Sequence, residues 1–404
     1  KYRGKAFIKI LGIPIKVSKK YYSSVYGPTL KNKTGFFSVR TGSLFKVRGL
    51  EQWWKMNKAS SFKEFYSILE MNEIPGYNIG YADKDDNIFY ISNGLIPKRN
   101  NKYKWTDVLP GNTSETLWTE YYKTSELPQV INPKSGYIYN ANHSPFKSTS
   151  LNENPNPKHF NSNMGFETFD NNRSTRIFEL VESLDAINYK DFKTIKYDNK
   201  FPTPFNYNFM DINNIMEMDP KNYPEISDLL EQIQKWDRVT DVNSTGAGAY
   251  AMFYYTLAEK YFYKSYYDRN FSKDLIADCL KDVKEKMIKY FNSSTVKLGE
   301  YQKLVRGNKE IPIFGMPDVI TAMTASKYRN GKIQVTHGES YIQLVKFSNK
   351  GVEIESIISY GSSDHKDSPH YNDQMELYSK FKTKKMSFDK DYVLKNARTT
   401  YNPK

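Results

Sequence analysis

The order of patterns along the chain predicts an α+β fold, with strands first, a helical block in the middle and strands again at the end. Three observations carry this. Residues 5–17 alternate apolar and polar side chains around Gly12, the period of a β-hairpin. Between residues 164 and 300 the period becomes helical. Ile177, Leu180, Val181 and Leu184, then Ile226, Leu229, Leu230 and Ile233, follow i, i+3, i+4, i+7 spacing. From Pro312 the chain returns to sheet, with strands expected at Lys332–Thr336, Tyr341–Phe347 and Val352–Tyr360, punctuated by Gly338, Gly351 and Gly361. This reads as one domain over residues 1–404 whose sheet is completed late. Its parts are a sheet-rich stretch at 1–147, a helical insertion at 164–300, and returning strands with a C-terminal helix at 310–404.

Tyr26-Gly27-Pro28 is a turn, and Phe36–Val39 and Leu44–Val47 read as short strands. Glu51–Leu69 is more helical, with Trp53, Met56, Phe62, Phe65 and Leu69 near helical spacing. Asn78–Ala82 and Asn87–Ile91 form a second hairpin around Asp83-Lys84-Asp85-Asp86. That tip places Asp83, Asp85 and Asn87 where a calcium loop has its first ligands. Ile88 then stands where the loop needs Gly, and Gly94 where it needs Glu, so the tip reads as a solvated turn.

Asn132-Pro133-Lys134-Ser135-Gly136 is a turn, because Pro fixes φ and Gly allows a positive one. Tyr137, Ile138 and Tyr139 read as a short strand that stops at Asn140-Ala141-Asn142-His143-Ser144-Pro145. A strand end presenting amide side chains into a cleft is where an oxyanion would find a donor; a plain polar junction is the alternative. Residues 148–163, rich in Asn, Pro and Ser, read as loop. Pro224 starts one helix, and Gly246-Ala247-Gly248-Ala249-Tyr250 opens another. No Gly-Lys-Ser/Thr follows those glycines, so they suit close helix packing rather than a phosphate. Ile276, Cys279, Leu280, Val283 and Met287 make a further helix, with Cys279 a buried core thiol. Asp373-Gln374 opens the last helix, through Tyr378.

Composition narrows the function. Lys and Arg exceed Asp and Glu by a net +14, but the bases are dispersed among acids, which argues against a nucleic-acid partner. A basic surface that binds polyanions stays as a rival reading. With Cys279 as the one cysteine, no internal disulfide forms. No apolar run is long enough to span a membrane. Lys1-Tyr2-Arg3-Gly4-Lys5 is followed by no signal-peptide core, so the chain reads as starting inside a longer protein. With 33 Tyr and 24 Phe, much of the core must be aromatic. His143, His159, His337, His365 and His370 have no metal-ligand spacing. Gly361-Ser362-Ser363-Asp364 with His370 lacks a nucleophile elbow and reads as loop and turn.

The stretch Asn132 to Pro145, as N-P-x-S-G-Y-I-x-N-x-N-x-S-P, resembles the oxyanion strand of the penicillin acylase and acyl-homoserine lactone acylase family, which are N-terminal nucleophile hydrolases. Family-like stretches follow in order. They are Asn78–Asp83 with Gly94–Arg99, Asn172–Ile177, Arg306-Gly307 with Ile311-Pro312, His337–Tyr341 and Ser368–Gln374. The resemblance implies an αββα sandwich, present in part, with a helical insertion. It implies an amidohydrolase that cleaves an acyl amide of the penicillin or N-acyl-homoserine lactone type through an acyl-enzyme, after autocatalytic processing. Antibiotic biosynthesis and a periplasmic or extracellular location come with it.

In the family an N-terminal Ser is the nucleophile and its own α-amine, with a pKa of about 7.7–8.0, is the base. Position 1 here is Lys, so the nucleophile is expected on a segment upstream of this chain, and this chain alone is expected to be inactive. That segment would also carry most ligands of the calcium found in some relatives. By the same resemblance Asn142 is the side-chain oxyanion donor, and Arg173 positions polar groups near the nucleophile, with Arg176 in reserve. Trp53 and Tyr77 line the acyl pocket or are ordinary core aromatics; Asn140 is structural. A non-catalytic homologue that binds acyl ligands is the alternative function.

Overall fold

The computed structural model describes residues 2–10, 13–204, 213–267 and 271–400. It divides into two compact units, Lys1–Phe169 and Asp170–Lys404.

The first unit opens with an antiparallel meander of β1 (Tyr2–Ile10), β2 (Ile13–Ser24), β3 (Gly27–Asn32) and β4 (Gly35–Ser38). The expected first hairpin is there, with Ile8 opposite Ile15 and Ile10 opposite Ile13; its turn at Gly12 lies outside the described residues. Alternation along this register puts Tyr2, Ile8, Ile13, Ile15, Val17 and Tyr21 on one exposed face. Lys5, Lys9, Lys16 and Lys20 share the opposite face.

Leu44–Val47, expected as a strand, is instead part of a turn in which the Leu44 N–H donates to Thr41 O at 3.3 Å and the Lys46 N–H to Ser43 O at 3.0 Å. Four residues are too few for alternation to specify a strand unless a partner is at hand. The helical stretch is two helices, α1 (Gly49–Lys58) and α2 (Phe62–Leu69). They part where Ser61 caps α2 by accepting from the Glu64 N–H, while the Glu64 carboxylate accepts from the Ser60 N–H at 2.8 Å. β5 (Tyr77–Ala82), β6 (Ile88–Asn93) and β7 (Gln129–Ile131) form an antiparallel sheet. Phe65 and Leu69 of α2 cluster with Phe89 and Ile91 of β6, Leu127 and Met164 in the core of this unit. The Asp83 tip is a turn whose carboxylate accepts from the Asp85 and Asn87 N–H groups and the Tyr81 hydroxyl.

The second unit begins with α3 (Asn172–Glu182), α4 (Tyr189–Lys196), α5 (Asn213–Met216), α6 (Ser227–Gln234), α7 (Thr245–Tyr267), α8 (Lys273–Phe291) and α9 (Leu298–Tyr301). A sheet follows, of β8 (Gln302–Arg306), β9 (Lys309–Pro312), β10 (Met323–Lys327) and β11 (Ile333–Gly338), in the order β10-β11-β8-β9. β8 and β11 run parallel, Gln302 beside Ile333. A further sheet joins β12 (Tyr341–Ser348) and β13 (Gly351–Ile358) to β14 (Lys384–Met386), with α10 (Met375–Ser379) before β14 and α11 (Lys390–Asn396) after it.

One core runs through this unit, joining α6, α7 and α8 to Leu304, Ile333, Val335, Ile342 and Tyr378. Backbones approach closely at the start of α7, where a Cβ on Gly248 would lie 1.9 Å from Val296 O. Cys279 is fully buried, and burial pushes its thiol up to about 12. Sheet resumes at Gln302, earlier than the expected Pro312. β8 opens on two polar residues, and their hydrogen bonds explain why they are buried. Gln302 Nε2 donates to Gly315 O at 2.9 Å, and Lys303 Nζ to Gly299 O at 2.6 Å. No described helix is long and apolar enough to cross a membrane.

Candidate functional site

Residues 132–145 are not the strand expected over Tyr137–Tyr139. The last ladder residue is Ile131, and 137–145 carry no strand pairing. The turn before them is as expected, with the Gly136 N–H donating to Pro133 O at 3.0 Å and Gly136 at φ 75°. Beyond it side chains replace the ladder. The Glu153 carboxylate accepts from the Ser135 N–H at 2.8 Å and from the Lys134 N–H, and the Ser135 hydroxyl, followed by these N–H donors, holds it below the usual carboxylate range. The Thr149 hydroxyl donates to Tyr137 O at 2.8 Å, and the Tyr139 N–H to Ser148 O at 2.9 Å. The aromatic and β-branched residues that suggested a strand are thus held by a second loop.

Asn142 sits at the crest of this strap, exposed, with φ 58°. Its left-handed backbone, which Asn tolerates better than most residues, is fixed from both sides. Asn140 Oδ1 accepts the Asn142 N–H at 2.9 Å. Asn140 Nδ2 faces the Tyr90 hydroxyl at 3.4 Å, and that hydroxyl donates to Asn78 Oδ1 at 2.7 Å. Burial pushes the Tyr90 phenol up to about 12, so its proton stays on. On the other side His143 is buried and stacked on Tyr139, with centroids 5.0 Å apart. Its Nδ1 accepts the Ala141 N–H at 3.1 Å, which leaves Nε2 to donate to Lys147 O at 2.7 Å. Asn142 is thus an exposed residue on a backbone fixed from both sides.

Trp53 of α1 and Tyr77 of β5 meet edge to face, centroids 5.6 Å apart at 87°. They are 48% and 46% exposed, so the core alternative does not describe them; they form an aromatic surface.

Arg173 lies in the second unit, in the first turn of α3, whose N-terminus is capped by Asn171 accepting from the Ser174 N–H. Arg173 Nε donates to Asp318 Oδ1 at 3.2 Å, and the Asn172 N–H to Asp318 Oδ2 at 3.0 Å. Asp318 has φ 63°. Burial raises its carboxyl, while the Asn172 N–H and the Arg173 charge pull the other way. Arg176 is committed elsewhere, to Asp198 through Nε at 3.1 Å and Nη2 at 2.9 Å and to Glu179 at 3.2 Å. It is a structural clamp. Asn142, Trp53 and Tyr77 thus belong to the first unit and Arg173 to the second.

Sequence reasoning overlooked Asp318, Tyr90 and His143. Met316-Pro317-Asp318 carried a turn signal that could have marked the first; the other two are visible only once the strap is folded. Among the described residues no group of three or more His, Cys, Asp or Glu side chains is arranged to hold a metal.

Comparison with known proteins gives this architecture its class. The chain matches the penicillin amidase family model over residues 3–395 and belongs to that family. It is similar to acyl-homoserine lactone acylase PvdQ of Pseudomonas syringae pv. syringae (strain B728a), 21% identical over 434 aligned residues covering 93% of this chain and 54% of that protein. It is 29% identical to penicillin G acylase of Escherichia coli over 130 residues, 31% of this chain and 15% of that one. Among solved structures, a thermostable penicillin G acylase from Alcaligenes faecalis superposes with a TM-score of 0.61 at 16% identity, covering all of this chain and 81% of the other. That likeness shows the fold. The chain spans about half the length of the curated relatives it matches end to end.

Proposed function

We propose that this chain is the larger, later part of the catalytic region of an acyl-amide hydrolase, working by an acyl-enzyme. Its nucleophilic Ser lies on a segment that precedes Lys1 and is exposed by autocatalytic cleavage. The family match along nearly the whole chain supports this, and the rigid mount under the exposed Asn142 carboxamide carries it. Asn142 donates to the tetrahedral oxyanion. Arg173, steadied by Asp318, orders the polar groups beside the nucleophile. Trp53 and Tyr77 offer aromatic surface to the acyl group. In this reading the sheets pack as the αββα sandwich of N-terminal nucleophile hydrolases, and the enzyme acts in the periplasm or outside the cell.

The test is the complete gene product, assayed on phenylacetyl and fatty-acyl amides and acyl-homoserine lactones beside an Asn142→Ala variant. Turnover that collapses in the variant is expected. Tight binding of these amides with no turnover by the intact protein would replace the hydrolase with a non-catalytic acyl-binding homologue.

A further inference from the structure

The second unit holds a cavity of about 760 Å3, within the range of small-ligand sites. One wall is a single face of α7, where Met252, Tyr255, Thr256 and Glu259 recur at i, i+3, i+4 and i+7. Lys286 and Tyr290 of α8 and the β10–β11 turn complete it. That turn is built to close on the helix. Asn330 and Gly331 both have positive φ, and a Cβ on Gly331 would lie 2.3 Å from the Tyr290 ring. Arg173 does not line this cavity.

Its polar groups are few and unequal. Lys327 pairs with Glu259 at 2.5 Å, and Lys332 with Glu310 at 3.0 Å. Lys286 donates to Thr256 Oγ1 at 3.0 Å and meets no carboxylate in an ion pair among the described residues. Tyr301, only 6% exposed, lines the same space. Lys286 shares the field of Glu259 with Lys327, so cations outnumber the carboxylate inside an apolar, aromatic chamber, which is complementary to an amphipathic anion.

We infer that this cavity binds a monocarboxylate with an aromatic or medium-length aliphatic body. The carboxylate is held by Lys286 and Thr256, the body lies against Met252, Tyr255 and Ile333, and the Tyr301 hydroxyl supplies a further donor. The inference does not depend on the hydrolase reading.

Isothermal titration of residues 1–404 with phenylacetate and with decanoate tests it, using phenylacetamide and decanol as uncharged controls. Both acids should bind and both controls should bind at least about tenfold more weakly, the scale of a lost hydrogen bond to a charged group. Lys286→Met should weaken the acids by the same factor. Ser326→Trp, which fills the exposed mouth from a solvent-facing position, should abolish binding with an unchanged Tm. Binding that ignores the charge of the probe, binding that survives both substitutions, or no binding of either acid would overturn the assignment.

Discussion

Asn142 and Asn140 are two positions apart and have opposite tasks. In the proposed reaction the first donates to substrate. The second fixes the first, with one end of its amide on the Asn142 N–H and the other on the Tyr90 hydroxyl. Asn142→Ala in the complete enzyme should lower kcat by about 10²–10³ with little change in KM, as for other oxyanion donors. Asn140→Ala should act mainly on stability, costing about 1–3 kcal/mol for the groups it leaves unpaired. Steady-state kinetics with thermal unfolding separates them, and equal kinetic losses would put the donor on the wrong residue. The two arginines make a second pair. Arg173→Lys should lower kcat. Arg176→Lys should lower Tm with kcat intact, because lysine lacks the planar fork that grips Asp198.

Asp318 adds a pH signature. Burial raises its folded carboxyl, so the folded chain holds the proton more tightly than the unfolded one. The stability this adds is present below the ordinary carboxylate value of about 3.9 and is lost as pH rises through the raised folded value. Asp318→Asn removes the titration. The Tm of this variant relative to the native chain should therefore climb from acid toward neutral pH, and a flat difference would sink the assignment.

At the scale of elements, long periodic segments were legible and segments held by side chains were not. α3, α6, α7 and α8 lie where helical spacing placed them, and the glycines of α7 have the packing role expected of them. Gly248→Ala should destabilise the second unit by about 1–3 kcal/mol, since its Cβ would meet a backbone oxygen that cannot swing aside. An unchanged Tm would mean that α7 shifts freely. β8 was hidden because Gln302 and Lys303 are buried for their hydrogen bonds, which an apolar pattern does not record. The strap over Tyr137–Tyr139 erred the other way. Its residues favour a strand, yet their partners are the Ser148 and Thr149 loop. The turn before Asn142 was legible in the sequence, whereas the supports that fix its backbone come from β5, β6 and the 143–154 loop.

For the whole molecule, the proposed location of the nucleophile means that purified residues 1–404 should turn over no phenylacetyl or fatty-acyl amide. Activity that tracks this chain through purification would place the nucleophile within it. The exposed face of β1 and β2 bears on the same preparation. Ile8, Ile13, Ile15 and Val17 are each at least 40% exposed on that one face, an apolar patch of the kind that drives association. Residues 1–404 should self-associate as concentration rises, and Ile15→Lys should reduce this in sedimentation velocity runs. Concentration-independent monomers would show the face to be harmless.

The parallel pairing of β8 with β11 also sets a timetable for folding. Every ladder of the β1–β4 meander joins strands that are consecutive in the chain, so each can zip from its own turn. β8 and β11 are neighbours in the sheet although β9 and β10 separate them along the chain, and closing a longer loop delays the contact. In pulsed hydrogen exchange during refolding, protection at 302–303 and 333–334 should therefore trail that of the β12–β13 hairpin. The β10–β11 hairpin can zip from its own turn, so what waits is its docking on β8.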